Sequence, residues 1–340
     1  MKSKQIIILS VIFILLLAGV AVRKFQKPVE LSAELYGSLS LSFNQDAVAE
    51  IELVKGKETR AVKIMRENGI WKIPGLWSAH ADPEKVNKFL DEIRQAKGEI
   101  RAKDKNLFGD FGITEEEAYR IVLKDQTQNV ILTVLLGKKK PSFENAVFLR
   151  LPALEAVYWV NTDIFALIGI GGDPALGELR SEFWANVKIA PLPVDQIKQI
   201  EIERFFEGKG NVVLSLMRDS GDTENTWKFT RENVSGKPDQ EKIKGFLSDL
   251  RMWKALKVLD PEAQGYGFEK TDWQMKLTSV SGENTMITRG AKEADTQDYF
   301  VKVSTEPVVF KASHYYFETM DRDDKYFLTE TKPDESLKPV

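Results

Sequence analysis

Cysteine is absent from this 340-residue chain, and histidine occurs only twice, at His80 and His314. Without thiols the chain can form no disulfide framework, no thiolate metal site and no cysteine nucleophile. So few histidines also argue against most zinc and copper sites. We therefore predict neither a metal ion nor a cofactor, whereas a chain without thiols suits an oxidising and a reducing compartment equally well.

The sequence also lacks the short motifs of common catalytic sites. It contains no Gly-x-Ser-x-Gly elbow, no His-Glu-x-x-His zinc motif and no calcium-binding loop. Three glutamates at positions 115–117 follow Thr114, a pattern that predicts a capped first helical turn, where acidic side chains favour the helix dipole. A glycosidase-type pair of carboxylates stays open, because distances in space are invisible in a sequence. We assign no catalytic, cofactor-binding or metal-binding residue.

Acidic side chains outnumber basic ones after the first 27 residues. Those residues carry five basic side chains and no acidic one, so removing that +5 from the net charge of −3 leaves −8 for residues 28–340. A body of that sign is a poor candidate for binding nucleic acid, which rewards clustered lysine and arginine. We therefore exclude nucleic acid as a partner.

A nucleotide-binding loop is also missing, although glycines cluster at residues 169–177. The cluster lacks the Gly-Lys-Ser/Thr ending of a phosphate loop, and Pro174 stands where a dinucleotide fingerprint needs glycine. Residues 169–196 therefore indicate a turn-rich linker.

The N-terminal part of the chain contains an apolar run at residues 6–22, interrupted only by Ser10 and Gly19. As a helix it would span about 25 Å at about 1.5 Å per residue, enough to cross a bilayer with help from flanking lysines and arginines. A cleaved signal peptide is the alternative, but the run is long for one and basic residues follow it at once. We predict an uncleaved anchor in residues 1–27, with Lys2 and Lys4 in the cytoplasm and the bulk of the chain outside.

The strongest internal signal is a repeat. Residues 82–93 and 239–250 agree at five of twelve positions, with three more conservative matches. Both place apolar residues at helical spacing, which predicts one buried stripe on each helix: Val86, Phe89, Leu90 and Ile93; Ile243, Phe246, Leu247 and Leu250. Asp82 and Asp239 occupy the expected N-cap positions.

Strand-like runs surround each predicted helix in the same order. Two runs and a tryptophan precede it, at 49–54, 60–65 and Trp71 or at 199–204, 212–217 and Trp227. An aromatic-glycine-apolar step and further strands follow, at 119–123, 130–136 and 157–160 or at 273–280, 285–288 and 308–311. The predicted fold is α+β: a transmembrane helix, then two tandem repeats, each an antiparallel sheet with one main helix. The predicted bounds are 28–168, a linker at 169–196, 197–330, and an unstructured tail at 331–340.

The histidines and tryptophans are weak candidates for chemistry. His80 forms a His-x-Asp pair but has no second histidine nearby, which favours an exposed loop residue. His314 aligns with Asp163, which favours a polar residue at a helix start. Trp71 and Trp227 occupy equivalent places, which favours packing. The other five could contact a ligand, although packing is again favoured: Trp77, Trp159, Trp184, Trp253 and Trp273.

Taken in order, these motifs resemble the bacterial family catalogued as domain of unknown function 4340. The resemblance is carried by the anchor, Gly-Ile-Trp71-Lys-Ile, the Ala81-Asp82…Phe89-Leu90 helix, Phe111-Gly112-Ile113 and Val157-Tyr158-Trp159-Val160. The junction Glu178-Leu179-Arg180-Ser181 followed by Ile200-Glu-Ile202 also fits. The resemblance implies an extracytoplasmic auxiliary component of membrane ABC-type transport systems, including those of the gliding-motility kind. It carries over no catalytic residue.

Two functions from different classes follow. The first is a non-enzymatic, membrane-tethered accessory or scaffold of an ABC-type transport or envelope system, placed in the inner membrane of a bacterium with its bulk extracytoplasmic or periplasmic. Its partners would be the membrane and an ABC-type permease and ATPase. The alternative is an envelope enzyme or glycan-binding protein that uses a cleft between the repeats. The sequence leaves the oligomeric state, the transported substrate and the partner's identity open.

We predict that residues 28–340 lie outside the cytoplasm and stay attached to the membrane, because an apolar run follows Lys2 and Lys4. Protease added to spheroplasts should digest the body and leave a protected N-terminal stub on an immunoblot. Complete protection of the body in intact spheroplasts would reverse the orientation.

Overall fold

The computed structural model describes residues 38–139, 146–206, 210–219 and 226–329. The predicted anchor at residues 6–22 and the predicted tail at 331–340 lie outside these ranges. Within the described ranges, no helix combines the length and the apolar composition needed to cross a bilayer.

The described residues form many strands and few helices. The strands are β1 (Ser38–Ser40), β2 (Glu50–Lys55), β3 (Val62–Glu67), β4 (Ile70–Ile73), β5 (Ala79–His80), β6 (Lys97–Ala102), β7 (Tyr119–Lys124), β8 (Val130–Lys139), β9 (Val147–Arg150), β10 (Val157–Val160), β11 (Ile197–Phe206), β12 (Gly210–Arg218), β13 (Trp227–Arg231), β14 (Lys257–Leu259), β15 (Trp273–Ser279), β16 (Asn284–Lys292), β17 (Tyr299–Val303) and β18 (Val309–Ala312). The helices are α1 (Pro83–Gln95), α2 (Ile164–Leu167), α3 (Gln240–Met252), α4 (His314–Met320) and α5 (Asp324–Phe327).

The chain divides into two compact units. The first comprises Met1–Val62 and Lys85–Leu179, and the second comprises Lys63–Glu84 and Arg180–Val340. In the first unit the strands lie in the order β1-β6-β10-β9-β8-β7-β2. The second contains an eight-stranded sheet of order β13-β12-β11-β15-β16-β17-β18-β14, and a small ladder in which β3, β4 and β5 pair in turn. The pairings within each unit are antiparallel, which confirms the predicted α+β class of two antiparallel sheets with few helices.

Strict alternation of side chains makes one face of each sheet apolar. β7 buries Tyr119, Ile121 and Leu123, while the residues between them stay half-exposed. β15 follows the same rule from Trp273 to Ser279. Because successive side chains of a strand point to opposite faces, this pattern fixes which face of each sheet meets the core.

The two long helices bury their apolar stripes, as the sequence predicts. Val86, Phe89, Leu90 and Ile93 of α1 are buried, as are Ile243, Phe246, Leu247 and Leu250 of α3. The side chain of Asp239 accepts a hydrogen bond from the Lys242 amide at 3.2 Å, and that of Asp82 accepts one from Glu84 at 3.0 Å. These carboxylates satisfy amides that the first helical turn leaves free.

The duplication is visible in matching side-chain contacts. Arg66 and Trp71 are cross-strand partners in β3 and β4, and the guanidinium lies 5.4 Å from the indole centre. Arg218 and Trp227 repeat this pairing in β12 and β13 at 5.3 Å. Both indoles are buried, so their predicted packing role is confirmed.

The segment after the glycine cluster packs tightly within the second unit. Trp184 is fully buried, and its carbonyl accepts a hydrogen bond from the Asp82 amide at 2.7 Å. The Asn186 amide donates to the carbonyl of His80 at 2.8 Å, and Ala81 forms a bridge with Ala185. The short 3-10 turns Ser181–Trp184 and Val194–Gln196 and these contacts hold the segment in place.

One outer strand of the eight-stranded sheet is covered by a side-chain amide. Gln240, the first residue of α3, donates to the Trp227 carbonyl at 2.8 Å and accepts from the Trp227 amide at 2.9 Å. A glutamine amide presents the same donor and acceptor as a peptide group. It therefore satisfies both backbone groups of a residue on β13.

We predict that Phe89→Ala and Phe246→Ala each lower the free energy of unfolding by about 3–5 kcal/mol, because each removes a fully buried ring from a helix stripe. Urea unfolding of residues 28–340, followed by circular dichroism, measures the change. Leu256→Ala is the control, because that side chain is 60% exposed. Unchanged midpoints in both phenylalanine variants would show that the stripes do not form the core.

Candidate functional site

A cleft of about 1310 Å³ opens in the first unit where several strands end. Four lysines line it, Lys55, Lys57, Lys138 and Lys139, and we call it the lysine cleft. Its walls also carry five acidic side chains: Glu58, Glu116, Glu117, Asp163 and Asp173. The end of β2, the end of β8 and the glycine-rich loop before residue 177 supply most of this lining.

A backbone bulge in β8 shapes one wall of the cleft. The register of β8 against β9 shifts between Leu136 and Lys139. There the Lys138 amide donates to the Phe111 carbonyl at 2.9 Å, and a Cβ added at Gly137 would lie 2.1 Å from that same oxygen. Only glycine permits this approach, which holds the Phe111 loop against the strand.

The second unit repeats the bulge at the matching place. The register of β16 against β17 shifts between Arg289 and Lys292, and the Ala291 amide donates to the Tyr266 carbonyl at 2.7 Å. A Cβ at Gly290 would lie 2.2 Å from that oxygen. Residues 136–139 of the first repeat therefore correspond to residues 289–292 of the second.

Tyr119 forms the floor of the lysine cleft. Its hydroxyl lies 2.6 Å from the carbonyl oxygens of both Pro174 and Gly177, so one proton is shared between two acceptors. Its ring meets Phe165 edge-on at 5.2 Å. Burial raises the pKa of the Tyr119 hydroxyl, which keeps it protonated and fixed as a donor.

Two of the four lysines form ion pairs across the cleft. Lys57 contacts Glu116 at 2.8 Å, and Lys139 contacts Asp163 at 2.8 Å. The hydrogen bond from Lys57 holds the pKa of the Glu116 carboxyl below its usual range. Each pair places one positive and one negative side chain side by side on the cleft wall.

The other two lysines donate hydrogen bonds to backbone oxygens. Lys55 donates to the carbonyls of Ala175 and Gly177 at 3.0 and 2.9 Å. Lys138 donates to the carbonyls of Gly109 and Asp110 at 3.3 and 3.1 Å. Within the described residues neither ammonium group has a carboxylate partner that would balance its charge.

In the second unit the same place is filled by side chains. Arg204 pairs with Trp273 across the strands as Lys55 pairs with Tyr119. Arg289, the counterpart of Leu136, inserts its guanidinium 5.6 Å from the Phe317 ring centre and contacts Asp321 at 3.2 Å. Arg204 binds the same carboxylate at 2.6 Å. The first repeat is open where the second is packed.

The lysine cleft offers binding groups more than reactive ones. Among the described residues, no group of three or more histidine and acidic side chains is placed to hold a metal ion. A general acid needs a raised carboxyl pKa, whereas the pKa of Glu116 is lowered. The ammonium groups and carboxylates on the cleft walls suit recognition of a charged ligand.

The prediction of an exposed loop position for His80 is wrong. His80 lies in β5 with 22% of its side chain exposed, and its Nδ1 lies 3.3 Å from Oε2 of Glu306. The Glu306 side chain is only 3% exposed. The carboxylate comes from a distant turn, so the local sequence around His80 gives no sign of it.

Some of the other sequence predictions agree with the structure and others do not. His314 is the first residue of α4, as expected, and its N-cap is Ser313. Residues 115–117 make a single turn, with the Ala118 amide bonded to the Thr114 carbonyl, and no helix follows because β7 begins at once. Five tryptophans are buried, which confirms packing: Trp71, Trp184, Trp227, Trp253 and Trp273. Trp77 is 43% exposed and does not line the lysine cleft.

None of the cleft lysines is predicted from the sequence, although one signal was present. The first repeat reads Leu136-Gly-Lys-Lys139 where the second reads Arg289-Gly-Ala-Lys292. The shared glycine indicates that the two repeats have the same backbone bulge. The different side chains on either side of it indicate that the bulge contacts different groups in each repeat. Comparing the two copies position by position would have found Lys138.

These features define a duplicated antiparallel α+β protein with a charged cleft in its first unit. The chain belongs to the family described as domain of unknown function DUF4340, whose model matches residues 71–270, more than half of the chain. This confirms the family resemblance seen in the order of the motifs. No curated protein and no solved structure matches the chain.

We predict that Gly137→Ala and Gly290→Ala each destabilise the protein by about 1–3 kcal/mol, because the new methyl group would press on a backbone carbonyl. Gly171→Ala is the matched control, since a Cβ there meets nothing within 4 Å. Denaturant unfolding of the three variants tests this. Equal stability of all three would mean that the bulges tolerate a side chain.

Proposed function

We propose that this protein is a non-enzymatic, membrane-tethered accessory or scaffold of an ABC-type transport or envelope system, with its body outside the cytoplasm. The observation that carries the proposal is the lysine cleft, whose walls combine two ion pairs with two lysines that donate to carbonyl oxygens and have no carboxylate partner among the described residues. Such a surface can recognise a charged partner without transforming it.

The membrane tether rests on the sequence. Residues 6–22 are long and apolar enough to act as an anchor, with basic residues on both sides. An anchor places the body beside any membrane complex in the same bilayer. Tethering both partners raises their effective concentration, so the contact made by the body need be only weak.

The transport partner rests on the family. Resemblance to domain of unknown function 4340 implies association with a permease and its ATPase, and the family match over residues 71–270 supports extending that association to this chain. The acidic net charge of residues 28–340 agrees with a protein partner rather than a nucleic acid.

The glycan-binding or enzymatic alternative has less support. Stacking on sugars uses exposed aromatic rings, yet the one aromatic side chain lining the lysine cleft is Tyr119, which is buried. The described surface of the cleft thus favours an interaction role.

We predict that full-length protein solubilised in detergent co-purifies with an ABC-type permease and its ATPase, because anchor and body act together. Affinity purification from membranes, followed by mass spectrometry, is the measurement. A version consisting of residues 28–340 should lose most of the transporter, and the same residues fused to an unrelated transmembrane helix should recover part of it.

Two results would contradict this proposal. One is a full-length preparation that contains no permease or ATPase above the level of an untagged control. The other is turnover of a cell-wall glycan by the purified body, which would favour the enzymatic alternative.

A further inference from the structure

We infer that the lysine cleft is a binding site for an oligopeptide segment that carries both a carboxylate and a basic group. The inference deepens the proposed function and rests on it in one respect, that the cleft binds a protein partner. The following contacts identify the ligand by its chemistry.

The positive anchors for the ligand are Lys55 and Lys138. Each donates hydrogen bonds to two backbone carbonyls, and among the described residues neither has an acidic partner. Carbonyl oxygens orient an ammonium group without cancelling its charge, so both lysines can still attract a carboxylate. The hydrogen bonds of Lys138 are exposed, which lets its ammonium group turn toward a ligand.

The negative anchors are Glu58 and Glu117. Both are exposed on the cleft wall, and in the part of the chain that the structure describes neither makes an ion pair. The acids beside them are engaged, since Glu116 binds Lys57 and Asp163 binds Lys139. Asp173 accepts a hydrogen bond from the Ala175 amide but makes no ion pair within the described residues. The cleft charges without an ion pair are thus two positive and three negative, which suits a ligand that carries both signs.

Size and lining select a peptide among ligands of this kind. A volume of about 1310 Å³ exceeds the roughly 300–1,000 Å³ of typical small-molecule pockets. A single amino acid would leave most of it empty, whereas several peptide residues would occupy it. Five carboxylates disfavour polyphosphates, and the lack of an exposed ring among the lining residues disfavours sugars.

The second repeat shows what the fold looks like without this site. Arg289 and its contacts with Phe317 and Asp321 fill the corresponding place, and Ala291 stands where the first repeat has Lys138. The fold does not need a lysine at this position, because the same bulge forms around alanine. Lys138 is therefore available for a role other than stability.

The test uses phage-displayed random dodecapeptides selected on detergent-solubilised full-length protein. Enriched peptides are synthesised, and their affinities are measured by fluorescence anisotropy. We expect them to carry acidic and basic residues together, and to bind Lys138→Ala about tenfold more weakly, since a hydrogen bond to a charged group is lost. Lys302→Ala, at an exposed position on β17, should bind them like the natural protein.

A second arm assigns the contact. Replacing the acidic residue of a selected peptide by its amide should weaken its binding to the natural protein. The same replacement should leave its affinity for Lys138→Ala unchanged, because the contact with Lys138 is already lost in that variant. Thermal unfolding should show that Lys138→Ala is as stable as the natural protein, as Ala291 in the second repeat indicates.

The inference is overturned if no peptide is enriched, or if enriched peptides bind Lys138→Ala and the natural protein equally. If peptide binding fails this test but a transporter still co-purifies, the peptide site is rejected and the proposed function is retained. Peptide binding that depends on Lys138, without any co-purifying transporter, removes the transport assignment and keeps the site.

Discussion

Both repeats depend on a backbone contact that leaves no room for a side chain. In each, a glycine in a strand bulge lies under the carbonyl of an aromatic residue, Phe111 above Gly137 and Tyr266 above Gly290. The next amide along the strand donates to that carbonyl, so the loop and the bulge hold each other. Bulges redirect side chains at strand ends. Here they bring the end of the strand and the aromatic loop together, and the lysine cleft lies beside this junction.

Duplication explains how one copy could acquire a site without loss of the fold. The backbone contact is common to both copies, whereas Leu136 and Arg289 differ at the residue before the glycine. Arginine in the second copy is held by aromatic rings and by Asp321, which satisfies a buried guanidinium. Leu136 in the first copy is shorter and carries no charged group. The change from leucine to arginine is thus one of the side-chain differences between the packed repeat and the open one.

The sequence predicts the elements whose signal is local. The alternation of β7 and β15 and the helical stripes around Phe89 and Phe246 are each contained within a few turns or strand residues, so they are read correctly. β6 is missed, because Lys-Gly-Glu-Ile-Arg-Ala contains only one large apolar residue, Ile100, and gains its strand form from pairing with β1 and β10. The cleft is missed for a related reason: its lysines and acids come from segments far apart in the chain, and only the sheet brings them together.

The edge strands of β-sheets are sites of unspecific association between protein molecules. β13 lies at one end of its sheet, and its exposed amides and carbonyls could pair with the same strand of a second molecule. The amide of Gln240 occupies both backbone groups of Trp227 and so blocks the start of any such pairing. This side chain therefore helps to keep neighbouring copies from polymerising edge to edge.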